Sequence, residues 1–185
     1  MNGKRSGKTA ILAALALMLP ASAQTSSAAA TNVRTATFMV SVIVDSDCVI
    51  VNANALNFGH IGARLGSSSG LPFLRTEQVT RLNVTCSKNT RYTLYMDQGS
   101  VAGSTVDARL MAGSSAGNGD RLQYQLYTDP TRSILWGDGS SASSNSVGGT
   151  GTGTPQTYIV YGRILDQSMP TPDLYSSIIT ASLTF

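Results

Sequence analysis

Almost every ordered stretch of this chain alternates apolar with other residues, and runs of glycine and serine separate those stretches. Successive side chains of a strand point to opposite faces, so a period of two gathers an apolar set on one side only if the segment is extended. After the first 23 residues, no segment repeats apolar residues at helical spacing over three turns. The chain is therefore expected to be all-β. In ATFMVSVIVDSDC (36–48), Phe38, Val40, Val42 and Val44 share one face, led by Ala36, and the segment reads as a strand. CVIVNANALNF (48–58) gives a short strand, a turn at its asparagines, then Leu56 and Phe58. Further strands follow on Leu82, Val84 and Cys86; on Tyr92, Leu94 and Met96; and on Leu122, Tyr124 and Leu126. SILW (133–136) reads as a short strand, QTYIVYGRIL (156–165) as a longer one, and YSSIITASLTF (175–185) as the last. The stretches 62–70, 99–104, 111–120 and 137–154 are rich in Gly, Ser and Asn and read as loops. From Cys48 onward there are about seven strand candidates, close to the number in an immunoglobulin-like sandwich.

The first 23 residues are not expected to belong to the fold. Lys4, Arg5 and Lys8 precede an apolar run from Ala10 to Leu19, and Ala21-Ser22-Ala23 forms a small-residue cleavage site before Gln24. This is the pattern of an export signal. A membrane anchor is the alternative, but the run is too short to span a bilayer. Residues 24–34, rich in Ser, Ala and Thr, read as a flexible leader. Cleavage after Ala23 removes three of the 13 basic residues, leaving 10 against 10 acidic ones. The basic character of the full sequence thus belongs to the signal, and a cationic patch for nucleic acid has no support. The charged fraction is 12%, about half the usual 25%. A surface so low in charge does little to keep copies apart.

Export places Cys48 and Cys86 in an oxidising compartment, where an even pair reads as a disulfide. The alternative is two buried thiols. A bond between them would close a loop of 39 residues, which the chain-entropy model values at about 4 kcal/mol.

Catalytic chemistry is thinly represented. His60 is the one histidine, placed before a turn. GSSSG (66–70) and GSSAG (113–117) match a nucleophile-elbow pattern, but neither precedes a helix. Asp45 and Asp47 lack the other ligands of a calcium loop. GGTGTGT (148–154) has no helix and no lysine to hold a phosphate. Trp136 reads as a core residue at a strand end rather than a sugar platform. No enzyme activity, cofactor or metal is expected.

The blocks CVIVNANALNFG, LNVTCSKNTRYTLYMDQG, LQYQLYTDPTRSILWGDG, GTGTPQTYIVYGRI and YSSIITASLTF, in this order, together with the placing of the two cysteines, resemble the spore coat protein U domain family. That family includes the subunits of archaic, Csu-type chaperone–usher pili. The resemblance covers roughly residues 36 to 185. It implies an incomplete immunoglobulin-like β-sandwich over 48–185 that lacks its seventh, G strand, with residues 24–47 as leader and donor strand. The gap would be filled first by a periplasmic chaperone and then by the N-terminal extension of another subunit, a form of β-augmentation.

The residues give their own reasons to agree. The last strand stops at Phe185, so no partner strand is expected to follow it. Ile179, Ala181, Leu183 and Phe185 share a face that needs cover, and they form the expected acceptor groove and chaperone contact. Ala36, Phe38, Val40, Val42 and Val44 form the expected donor strand. Only Asp45, Ser46 and Asp47 separate it from Cys48, too few to turn it into its own groove. Head-to-tail contacts of this kind build filaments. The alternative is that 36–44 is the first strand of a complete barrel.

The expected function is therefore a structural subunit of a surface pilus supporting adhesion and biofilm formation. Its partners would be identical or homologous subunits, a periplasmic chaperone and an outer-membrane usher. A spore-coat or extracellular matrix protein is the first alternative. A monomeric carbohydrate-binding module using Trp136 and Tyr127 or Tyr161 is the second.

Overall fold

The computed structural model describes residues 32–61, 75–140, 145–167 and 170–185. The expected signal (1–23), the first part of the leader (24–31) and the GSSSG match (66–70) lie outside them. The chain divides into two units, 1–42 and 43–185.

In the first unit, residues 32–42 carry no regular secondary structure. The expectation of a formed strand at 36–44 is corrected here, because none is present over 32–47. Alternation supplies a face, but a strand also needs a neighbour to complete its ladder, and no described strand pairs with this stretch. Phe38 is 87% exposed, and Met39, Val40 and Val42 are equally open to solvent.

The described residues of the second unit form a sandwich of nine strands. One sheet has the order β1-β2-β7-β5-β4-β8. It is formed by β1 (Cys48–Ala53), β2 (Thr76–Cys86), β7 (Gln156–Ile164), β5 (Arg121–Tyr127), β4 (Arg109–Gly113) and β8 (Tyr175–Ser176). The second sheet has the order β6-β3-β9 and comprises β6 (Val147–Thr150), β3 (Arg91–Met96) and β9 (Ala181–Thr184). Every pairing between these strands is antiparallel. The apolar faces expected from alternation are the ones buried: Leu82 and Val84 from β2, Tyr92 and Leu94 from β3, and Leu122, Tyr124 and Leu126 from β5. With Trp136, Val160 and Ile164 they form one core between the sheets. Cys48 and Cys86 stand opposite each other in the β1–β2 ladder and are bonded, Sγ to Sγ 2.02 Å.

Some elements differ from expectation. β4 and β6 lie at the start of one expected loop and within another. SILW forms only isolated bridges through Leu135 and Trp136. The expected last strand is split: β8 joins the large sheet, and β9 crosses to the small one.

The crossing region is held by a buried cation. Arg109 is 0% exposed, and all five of its N–H groups are used. Nε donates to Asp97 O at 2.8 Å, Nη1 to Val106 O and Gln125 Oε1 at 3.3 Å each, and Nη2 to Met96 O at 3.1 Å and Trp136 O at 2.8 Å. Burial lowers its pKa from the usual arginine value, yet a guanidinium keeps its charge in proteins. Arg109 belongs to the large sheet, whereas Met96 ends the central strand of the small one and Asp97 follows it. One side chain thus ties the two sheets beside β9.

Candidate functional site: an uncovered strand edge beside a groove

Backbone groups of successive residues in an extended chain point to opposite edges. Along the last segment, the even-numbered residues are tied to β3 and its continuation. Ile178 N donates to Ser100 Oγ and Ile178 O accepts from Ser100 N, each at 2.9 Å. Thr180 N donates to Asp97 Oδ1 at 3.0 Å and Thr180 O accepts from Asp97 N at 3.1 Å. The β3–β9 register continues this pattern, with Ser182 opposite Tyr95 and Thr184 opposite Thr93. Ser177, Ile179, Ala181 and Leu183 therefore turn their N–H and C=O groups to the other edge. No described strand lies there. The result is a row of backbone donors and acceptors ready for another strand.

The same odd-numbered residues turn their side chains inward, where a groove of about 310 Å³ opens between the sheets. Ile179 and Ala181 form one wall; Leu56 and Phe58, from the chain after β1, form the other. Leu82, Met96, Leu126 and Val160 lie at its base. Gly162 on β7 makes room for the second wall, since a Cβ there would run into Leu56 and come within 2.9 Å of Phe58. One end of the groove is polar. The hydroxyls of Tyr124 and Ser177 are buried there close to each other, with no other hydrogen-bond partner among the described residues. Burial raises the Tyr124 pKa, and the nearby Ser177 hydroxyl and Arg109 charge moderate the rise.

Of the four residues expected to form the groove, Ile179 and Ala181 line it. Leu183 packs against the core opposite Leu94. Phe185 is 58% exposed and borders a separate shallow depression with Arg91, Tyr92 and Thr184. The residues expected to form the donor strand, Ala36, Phe38, Val40, Val42 and Val44, are all exposed. Asp47, just before the disulfide, is fastened to the sandwich: its N–H donates to Ser87 Oγ at 3.1 Å and its C=O accepts from Ser87 N at 2.8 Å. Leu56, Phe58, Tyr124 and Ser177 were not expected at the groove. Leu56 and Phe58 do share a face by alternation, but nothing in the sequence shows that they lie across from Ile179.

Other expected chemistry is placed as follows. Trp136 is 1% exposed and its Nε1 donates to Leu94 O at 3.3 Å. Tyr127 is also buried, and Arg132 lies over the ring of Tyr161. The alternative of a sugar platform on Trp136 and Tyr127 is therefore corrected, because neither ring has a free face. His60 is exposed. Ser114 and Ser115 of the GSSAG match donate to Asp173 rather than facing a base. Among the described residues, no three of His, Cys, Asp and Glu are grouped to hold a metal.

The model of the Spore Coat Protein U domain matches residues 34–182. "Protein U" of Myxococcus xanthus is 29% identical over 192 residues, covering 100% of both chains. Among solved structures, the chain resembles the chaperone–tip adhesion subunit pre-assembly complex from archaic chaperone–usher Csu pili of Acinetobacter baumannii. That match has a TM-score of 0.52 at 20% identity and covers 77% of this chain and 40% of the other. The shared feature is the fold, an all-β immunoglobulin-like sandwich. By the extent of the domain match, this chain belongs to the Spore Coat Protein U domain family.

Proposed function

We propose that this protein is a structural subunit of a surface pilus, exported by its N-terminal signal and assembled by donor-strand complementation. Residues 36–44 of one copy enter the groove of the next and complete the edge at Ser177–Leu183. The observation that carries this reading is the coincidence of two unmet needs. The last segment has a row of backbone groups that no described strand pairs, over an apolar groove, and the head has five alternating apolar side chains exposed to solvent. Burying Phe38 and three valines would contribute on the order of 6–12 kcal/mol gross, less the cost of ordering the segment. Asp47 is already fixed at Ser87, so only Asp45 and Ser46 lie between the donor and its own sandwich, which favours a neighbour as acceptor.

Before assembly the groove needs a temporary occupant, a role assigned here to a periplasmic chaperone, with an outer-membrane usher as the site of polymerisation. The match to a chaperone–subunit complex supports this partner. Attachment and biofilm formation are the roles such a fibre would serve. A second reading, a spore-coat or matrix protein using the same assembly chemistry, is favoured by the family model itself.

Deleting residues 24–44 tests the reading. The shortened chain should remain a folded monomer that binds chaperone and does not polymerise. An unfolded product would mean that the head is an ordinary strand of a closed domain. Electron microscopy of cells expressing the protein with its chaperone and usher should show fibres.

A further inference from the structure

The groove is not apolar throughout, and its polar end carries information that the donor reading alone does not use. Tyr124 is buried on β5 and Ser177 sits where the chain leaves β8; their hydroxyls lie close to each other, and neither has any other hydrogen-bond partner among the described residues. Gly99 closes this end from behind at φ +93°. A Cβ on it would lie 2.8 Å from Ser177 Oγ and 3.3 Å from Tyr124 Oη. The pair is thus walled in on the protein side and reachable from the groove. Two hydroxyls that have only each other leave one O–H donor without an acceptor beneath an inserted apolar strand, which costs free energy.

Resting on the donor-segment reading, we infer that the Tyr124–Ser177 pair is a register-fixing subsite that takes the hydroxyl of Ser46 from the incoming copy. A strand filling the open edge antiparallel to the last segment sets residues directly opposite each other, with facing side chains on the same side. The inward donor residues have even numbers and the inward acceptor residues odd ones. Ser46 carries the one hydroxyl on the even-numbered face between Ala36 and Cys48. Placing it opposite Ser177 sets Val44 against Ile179, Val42 against Ala181, Val40 against Leu183 and Phe38 against Phe185. Every apolar position of the edge then receives an apolar partner, and the exposed Phe185 gains the largest donor side chain. A slip of two residues sets Val44 on the hydroxyl pair and leaves it unpaired. A slip the other way calls for Cys48, which is already bonded to Cys86.

Cysteine cross-linking between two full-length variants reads the register. Val42→Cys in one copy should form a disulfide with Ala181→Cys in its neighbour and much less with Ile179→Cys; the reverse preference overturns the inference. Dissociation of assembled full-length chains reads the hydroxyl contact. Ser46→Val and Tyr124→Phe should each speed dissociation roughly tenfold, and the double variant should be no faster than either single one. Independent, multiplying effects, or none, contradict the subsite. If Val42→Cys cross-links to neither acceptor position and the chains do not assemble through residues 36–44, the donor reading itself has failed.

Discussion

The two ends of the described chain have nearly the same pattern and different fates. Residues 36–44 and 177–185 both alternate apolar side chains over about nine positions. The tail is half satisfied: its even-numbered backbone groups bond to β3 and its continuation, and Ile179, Ala181 and Leu183 rest on the core. The head has no described strand beside it, and every residue from Phe38 to Val44 is exposed. The contrast teaches that alternation specifies a face and not a partner. An apolar stripe becomes a strand only where another backbone stands beside it, and this chain supplies that backbone to its tail on one side.

The largest break of this contrast comes from a charge on the head. Val42→Asp should abolish assembly, because an ionised carboxylate entering an apolar groove lacks a partner. The same change should leave the sandwich's own stability within about 0.5 kcal/mol, as expected for an exposed site. Sedimentation and thermal melting of the monomer check both halves.

Next in size is the bond that fixes where the head begins. Reducing Cys48–Cys86, which spans a separation of 38 residues, should cost the isolated subunit about 4 kcal/mol. The assembled form, with its groove filled, should lose less. Equal losses by denaturant titration would count against a groove left open in the monomer.

Arg109→Met should follow, at about 3 kcal/mol or more, since four backbone carbonyls around the tail's support lose their donor inside the protein. Chemical denaturation measures this, and Val42→Asp is its control.

The smallest effect is acid sensitivity confined to the sandwich. Asp129 is held below the usual carboxylate range by the Thr131 hydroxyl and by the Ser133 and Ile134 amides. Asp173 is lowered by the Ser115 amide, then by Asn118 and the Ser114 and Ser115 hydroxyls. A lowered carboxylate stabilises the fold above its unfolded pKa of about 4, and that contribution fades as pH falls toward the folded value. Stability should therefore decline below about pH 4, and less so in Asp129→Asn. Melting curves between neutral and acid pH give the comparison.

Much of this was legible in the sequence. β2, β3, β5 and β7 were readable because each buries one face of a long alternating run, and Leu82, Val84, Tyr92, Leu94, Tyr124 and Leu126 are where the period places them. β4 and β6 were not. The first ends in glycine, and the second, VGGT, carries Gly149 because a Cβ there would meet Tyr92 and Tyr158. Their pairing is dictated by neighbours distant in sequence. Arg109 was equally hidden, since a lone arginine reads as surface until five acceptors surround it. At the site, Ile179 and Ala181 were readable as an apolar face. Leu56 and Phe58 on the facing wall, and the hydroxyls of Tyr124 and Ser177, come together through packing that no local pattern records.

Amide hydrogen exchange at the tail tests the central claim most directly. In the unassembled subunit, the amides of Ile178 and Thr180 should be protected and those of Ile179, Ala181 and Leu183 should exchange readily. On assembly the latter three should become protected together with the amides of residues 36–44. Protection of Ile179, Ala181 and Leu183 in the monomer, unchanged by assembly, would contradict the account.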